Sequence, residues 1–396
     1  MIDLPHPSPQ RTTRRKSGLI YDVIVVGLGA VGSAALYTLA EQGWGVAGVD
    51  SQDPPHSLGS SHGKSRIFRE AYYEHPNYVP LLRQAFRKWN NLNALAIPKL
   101  FRRTGGLMIG PAESDLVAGS ASSASQHQIP VERLSSDAIH EHFPAFMPPP
   151  EMVGIYEDRA GVLMPELCIR TYLDFAKDLG AHTYSGAAVI DLRLETDPLV
   201  VETVRGDITA RRVILAAGAW MSKILRSTGV TLPLSVERQT MHWFSSLEPS
   251  DIVKPHRFPV SLIEHEPGRI FYVLPDLGDG VKAAIHHEGA IVDPDQIDRT
   301  VSDLDRTRIR DLVRRFLPGV DGEISESVVC MYTDTPDNHF ILDTLPGNPN
   351  VIVASACSGH GFKLSNVVGE IAANLATGGR IDFDISLFSA SRFRSS

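Results

Sequence analysis

Gly27, Gly29 and Gly32 stand in the pattern G-x-G-x-x-G, and each glycine of such a turn has its own task. The first permits a tight bend, the second lets backbone approach a pyrophosphate, and the third lets a helix close on a strand. The pattern carries weight only after a strand, before a helix, and with an acid about 20 residues on. Tyr21 to Val26 is a β-branched run typical of a buried parallel strand. AVGSAALYTLAEQG then reads as a helix closed by Gly43, and Val46 to Val49 as a second strand ending at Asp50. A carboxylate there can accept hydrogen bonds from a ribose, and the helix N-terminus offers N–H groups to phosphates. These residues imply a dinucleotide and leave NAD and FAD both open. The apolar run VILAAGAW, with Gly218 after its Ala-Ala, is a second feature of many FAD enzymes with this fold and tips the choice to FAD.

Other chemical patterns fail on spacing. GSSHGKS (59–65) is one residue short of a P-loop and follows no apolar strand. His140, Glu141 and His142 lack the i, i+4 histidines of a zinc helix, and no cysteine pair has zinc spacing, so no metal is expected. No hydrolase elbow, a G-x-S-x-G set between strand and helix, is found. The three cysteines, Cys168, Cys330 and Cys357, are odd in number and far apart. They suggest no disulfide framework and fit a reducing cytoplasm.

With 46 acidic and 38 basic side chains the net charge is −8, so no global basic field draws nucleic acid or anionic lipid. No run of about 18 apolar residues exists, which argues against a membrane-spanning helix. Residues 1–20 are rich in Pro, Ser and Arg; Arg14 and Arg15 precede no apolar signal core. A disordered extension is expected there.

The elements that must position the chemistry follow. Asn77 to about Leu95 predicts an amphipathic helix carrying Leu81, Leu82, Phe86 and Trp89. Residues 115–126 predict an exposed helix or loop, and the prolines of FMPPPEM (146–152) a domain crossing. Pro165 to Gly180 reads as a helix with proline at its start and glycine at its end. Residues 235–290 alternate as an antiparallel sheet, Ile309 to Phe316 is helical, and VIVASACSGHGFKLSNVVGEIAANLA ends the chain as strand, glycine-rich turn and helix. The expected fold is α/β. A discontinuous Rossmann-like FAD-binding domain comes from 21–95, 151–228 and 325–396. An α+β substrate domain with a mostly antiparallel sheet comes from 96–150 and 229–324.

Four segments then carry a resemblance: DPPHSLGSSHGKSRIFREAY (53–72), VKAAIHHEG (281–289), VVCMYTDTPDNHFILD (328–343) and SGHGFKLS (358–365). In this order behind the glycine turn, they resemble the monomeric sarcosine oxidase and N-methyltryptophan oxidase family, from about Tyr21 to Phe393. The resemblance implies a two-domain FAD fold, a monomer, and oxidation of carboxylate-bearing secondary amines with oxygen as acceptor and hydrogen peroxide as product. Cys330 matches the cysteine bonded through sulfur to the 8α-methyl of the flavin. Arg69 and Lys363 match the pair that holds the substrate carboxylate, and Arg66 an arginine near the flavin ring. Lys282 matches a lysine on the opposite flavin face, where a cation would stabilise negative charge developing on oxygen. Tyr272, Tyr332 and His286 match residues lining the substrate cavity, and Gly359, His360 and Gly361 the cofactor turn that leads into Lys363. The bland readings are a packed Cys330, a surface pair of Arg69 with Glu70 or Glu74, a solvent-facing Lys282 and a core His286.

The chain also departs from the family pattern Gly-Ser-His-His-Gly-Asp-Thr-Arg, with Ser61, Lys64 and Ser65 in place of a His, the Asp and the Thr. Glu70 replaces a His, Ala284 a glycine, and Ile263 falls at a variable pocket position. These changes bear on the identity of the substrate more than on the reaction. Competing readings are a cyclic imino acid, another N-alkyl amino acid or a glycated amine as substrate, an NAD-dependent dehydrogenase, and a flavin binder without catalysis.

Overall fold

The computed structural model describes residues 14–15, 18–247, 250–356 and 358–393. Most of the expected N-terminal extension, and Cys357, lie outside them. Gly18 to Ile20 do not belong to an extension: they begin the strand Gly18–Val26.

That strand sits centrally in a nine-stranded sheet. Val46–Val49 and His182–Tyr184 continue the sheet on one side of it, and Gly206–Leu215 lies on the other. All four run parallel, and Asn348–Ser355 joins the C-terminal half of Gly206–Leu215 in the same sense. Leu199–Thr203 and Val189–Arg193 extend the sheet antiparallel. Alternation along the first strand explains why it reads as one apolar run. Val23 and Val25 enter the core beneath the helices Ala30–Glu41, Pro165–Asp178 and Ser365–Thr377, while Ile24 and Val26 enter the core on the opposite face. A strand buried on both faces has no polar side to show.

A second, eight-stranded sheet takes the strands in the spatial order Ile324–Asp334, Ser235–Phe244, Val281–His286, Arg269–Leu274, Val260–Glu266, Gly106–Pro111, Met152–Glu157 and Glu132–Ser135. It is antiparallel except where Val260–Glu266 meets Gly106–Pro111. One face packs on the helix Asp303–Phe316 through Ile309, Val313 and Phe316. That helix opens with a reciprocal capping box between Ser302 and Asp305, which satisfies two otherwise orphaned N–H groups. A three-stranded sheet of Arg66–Phe68, Gly161–Leu163 and Phe101–Arg103 completes the fold.

The mixed α/β fold with a Rossmann-like sheet and a mostly antiparallel second sheet is therefore present. Two expected boundaries move. Met152–Glu157 and Ile324–Asp334, placed by the sequence reading with the nucleotide-binding pieces, are strands of the second sheet, because backbone pairing with Gly106–Pro111 and Ser235–Phe244 claims them. The helix Ser136–His142 ends at its Phe143 C-cap, before the prolines of 146–152 are reached. Those prolines lead to the strand Met152–Glu157, on which the same helix packs. Residues 115–126 form a helix, Asp115–Gln126, whose Leu116, Val117 and Ala124 are buried.

Candidate active site

The two large sheets enclose a cavity of about 820 Å³, toward the upper end for small-molecule and cofactor sites. At one end lies the glycine turn. Gly27 has φ +88°, and a Cβ there would meet the Ala216 carbonyl oxygen at 2.5 Å; one on Gly32 would meet the Gly27 carbonyl oxygen at 1.8 Å. At Gly29 the nearest atom is 3.6 Å away, so open space remains where a phosphate would approach. The helix Ala30–Glu41 has no side-chain cap and no acid in its first turn, which leaves N–H donors for an anion. Asp50 is buried and accepts from the Leu28 N–H at 2.8 Å and the Gln52 N–H at 2.9 Å. A carboxylate has about four lone-pair sites, so acceptor capacity remains for a ribose. Gly218 lines the same end at φ +52°. These residues fit an FAD pyrophosphate and ribose.

The middle of the cavity is walled by the segment 58–66 and the second sheet. Arg66 bends back on its own segment, donating to the Ser60 and Ser65 carbonyls at 2.8 Å each, and its Nη2 stands 3.9 Å from the Cys330 sulfur. Cys330 is a free, buried thiol that faces the cavity. Lys282 does not line the cavity. Its ammonium nitrogen lies beneath the 58–66 segment, donating to the Gly63 and Ser65 carbonyls at 2.8 and 2.9 Å, with Trp243 at 5.5 Å. Burial, with Arg66 next in importance, pushes its pKa well below the ordinary value. The solvent-facing reading of Lys282 is thus wrong: the side chain is 1% exposed.

The far end holds charge in an aromatic shell. Arg69, 1% exposed, lies 4.3 Å from the Tyr72 ring centre, and its Nη2 donates to both Glu74 oxygens at 2.6 and 2.7 Å. The pairing with Glu74 exists, but it is buried and faces the cavity instead of the surface. Lys363, also buried, donates to the His360 carbonyl at 3.0 Å, and burial followed by the nearby Arg69 lowers its pKa to about 7. Glu157 fixes the approach to Arg69: its carboxylate accepts the Glu70 and Ala71 N–H groups at 2.8–2.9 Å. His286 Nδ1 meets the Tyr332 hydroxyl at 3.1 Å, and both line the cavity with Tyr272. Gly359, at φ +73°, is needed here because a Cβ would strike His286 at 2.7 Å and Tyr332 at 2.8 Å. Gly361 also lines this end. His360 is engaged by the wall itself. Nε2 meets the Asn338 carbonyl at 3.0 Å and so carries the hydrogen, and Nδ1 accepts from Tyr72 at 2.6 Å.

The departures from the family pattern divide by location. Lys64 turns outward to Glu326 and Asp279, and Glu70 is buried 3.1 Å from Arg159. Ala284 packs with Met241, Trp243 and Cys330 beside the cavity. Ile263 is not a pocket residue; it enters the core on the helix side, and its neighbour Leu262 lines the cavity. Successive strand residues face opposite ways. Sequence reasoning missed Leu262 and Met241 as cavity residues and the roles of Glu74 and Glu157. It also missed a cluster of Glu237, His287 and Asp334. Their separation along the chain leaves no local signal.

The model of the FAD dependent oxidoreductase family matches residues 22–375. Monomeric sarcosine oxidase of Bacillus sp. (strain B-0618) is 40% identical over 376 residues, covering 94% of this chain and 96% of its own. N-methyl-L-tryptophan oxidase of Yersinia pestis (strain Pestoides F) is 35% identical, covering 94% and 100%. Among solved structures, NikD, an unusual amino acid oxidase, superposes with a TM-score of 0.82 at 23% identity over 93% of this chain and 97% of its own. Glycine oxidase from Geobacillus kaustophilus gives 0.81 at 20% identity over 95% and 99%; these two likenesses speak to the fold. With the nucleotide cradle, the aromatic cavity and these matches in agreement, the chain belongs to the FAD dependent oxidoreductase family and resembles its sarcosine oxidase and N-methyltryptophan oxidase members.

Proposed function

We propose that this chain oxidises a secondary amine bearing a carboxylate, sarcosine or another N-methyl amino acid, to an imine that water hydrolyses. Oxygen takes the electrons and leaves as hydrogen peroxide. The observation that carries this reading is the buried cation pair, Arg69 and Lys363, facing a cavity whose opposite end is a dinucleotide cradle. A planar guanidinium can bind a carboxylate through two N–H bonds, and a buried ammonium adds a point charge. To use that fork the substrate carboxylate must displace Glu74 from Arg69. Tyr272, Tyr332 and the neutral His286, its pKa held well below the usual value by burial and then by His287, form an apolar, weakly polar-edged wall around the amine. Pinning the carboxylate fixes where the reacting C–H bond points, which lowers the entropic part of the barrier.

FAD, when bound, supplies the electron sink. Gly27, Gly29, Asp50 and the helix after them would hold its nucleotide half, Arg66 would lie near its ring, and Cys330 would anchor it covalently through sulfur at the 8α position. Lys282 would act from beneath the 58–66 segment on the oxygen side. The discontinuous domain division, with 152–157 and 324–334 moved to the substrate half, goes with this reading. The likeness to monomeric sarcosine oxidase supports a monomer, and three widely spaced cysteines, odd in number, support the cytoplasm.

Two measurements test the reading. Acid precipitation of the purified protein should carry the yellow colour into the pellet, and Cys330→Ala should release it to the supernatant. Rates over a panel of sarcosine, N-methyl amino acids, cyclic imino acids, glycated amines and simple amines should rank an N-methyl amino acid first. A best substrate without a carboxylate would remove Arg69 and Lys363 from the proposed role.

A further inference from the structure

Just beyond His286 the chain leaves the sheet through His287 and Glu288, both with positive φ (64° and 71°). This turn brings the His287 ring within 5.2 Å of Tyr332 and 4.3 Å of His286, and unlike those two His287 does not line the cavity. There it meets Glu237 from the strand Ser235–Phe244 and Asp334 from the end of Ile324–Asp334. One ligand atom from each of the three residues lies within 4.8 Å of the others. We propose that Glu237, His287 and Asp334 form a divalent-cation site of the zinc class behind the His286–Tyr332 wall.

Three observations carry it. The donor set is one imidazole and two carboxylates, and the Glu237 Oε2 to His287 Nδ1 distance is already 3.1 Å. Two ligand atoms on a tetrahedral zinc stand about 3.4 Å apart, given metal–ligand bonds of about 2.0–2.2 Å. Asp334 Oδ1 is buried with no donor beside it and faces the Glu237 carboxyl group, although buried acceptors are ordinarily satisfied by donors. Among the described residues no lysine or arginine pairs with Glu237 or Asp334; Glu237 pairs with His287, and the Glu237 and Asp334 carboxyl groups contact each other. Two ionised carboxylates brought together by strand pairing beside one imidazole call for a further positive charge, which a bound cation supplies. The other Glu237 oxygen is held by the Gly289 N–H, which orients the carboxylate toward the cluster. His287 is about one-third exposed, so a metal has an entry path. Three protein ligands leave a fourth position for water or a small anion, as in open zinc sites.

Titration of the tag-free, flavin-loaded enzyme with zinc chloride by calorimetry tests the site. Expected is one ion per chain with micromolar or tighter affinity, weakened at least about tenfold in Asp334→Asn and in His287→Gln. His287→Gln changes a partly exposed side chain, and retained flavin absorbance and circular dichroism verify that each variant is folded. Zinc-edge X-ray absorption on the wild-type enzyme should give oxygen and nitrogen neighbours with one imidazole, at about 2.0–2.2 Å. No saturable binding would overturn the proposal and leave a proton as the missing charge. Equal binding in wild type and both variants would overturn it as well, because the zinc would then sit elsewhere.

Discussion

Lys363 makes the proposed carboxylate site sensitive to pH in a way that can be worked out from the structure. Burial, followed by repulsion from Arg69, brings its pKa from 10.5 to about 7 in the ligand-free cavity. A carboxylate needs the protonated form, so above pH 7 its binding must draw in a proton. The dissociation constant of a small carboxylate without an amine, such as propionate, should therefore be flat between about pH 6 and 7 and rise about tenfold per pH unit above it. Propionate avoids the titration of a substrate amine. Lys363→Met should bind it at least about 30-fold more weakly at pH 6, since truncating one partner of a buried charge pair costs about 2 kcal/mol or more. By about pH 8.5 the wild type should have lost roughly 30-fold, and the two curves should meet there. Stability moves with the same group. Between pH 7 and 10.5 the unfolded lysine holds a proton that the folded one has shed, so stability rises with pH across that window. At pH 7 and below, the full cost is roughly 5 kcal/mol, from 3.5 pH units at about 1.4 kcal/mol each. Lys363→Met should accordingly raise the Tm of the ligand-free holoenzyme at pH 7, and the gain should vanish near pH 10.5. A propionate affinity independent of pH in the wild type, or the same slope in Lys363→Met, would refute the reasoning.

Other outcomes follow from single contacts. Gly32→Ala places a methyl 1.8 Å from the Gly27 carbonyl oxygen, so the turn must open; flavin content per chain should fall sharply, checked by absorbance against protein mass. Gly359→Ala forces a side chain into positive φ and onto His286 and Tyr332. It should raise KM at least about tenfold, in keeping with a strain cost of 1–3 kcal/mol, while flavin stays bound. Lys282→Met should slow reoxidation of the reduced enzyme by oxygen far more than its reduction by amine, read in separate stopped-flow mixes. Equal slowing would assign Lys282 a structural role in holding Gly63 and Ser65.

The nucleotide half of this fold was legible because its signal is local: a strand, three glycines, a helix and Asp50 fall within some thirty residues, and Gly27 and Gly32 have a steric reason that the structure displays. The second sheet was legible as strands but not as an assembly. Nothing in Met152–Glu157 or Ile324–Asp334 says which edge will claim them, since the pairing partners lie tens of residues away. The same non-locality explains Leu262, displaced by one residue from the expected Ile263. It explains Glu74 too, which looks like an ordinary loop acid until the fold folds it back onto Arg69. Cys330, Lys282 and Lys363 could be singled out only by resemblance; their types and spacing carry no chemistry on their own. The triad of Glu237, His287 and Asp334 had neither kind of signal, because three strand ends meet there only after the sheet has closed.

The central claim is that this chain oxidises a carboxylate-bearing secondary amine with a bound flavin. Its most direct test is anaerobic mixing of the purified yellow enzyme with sarcosine, N-methyl amino acids and the simple amines in turn. The account predicts that an N-methyl amino acid bleaches the flavin absorbance, and that admitting oxygen restores it with one hydrogen peroxide formed per amine consumed. A yellow protein that no carboxylated secondary amine bleaches would contradict it.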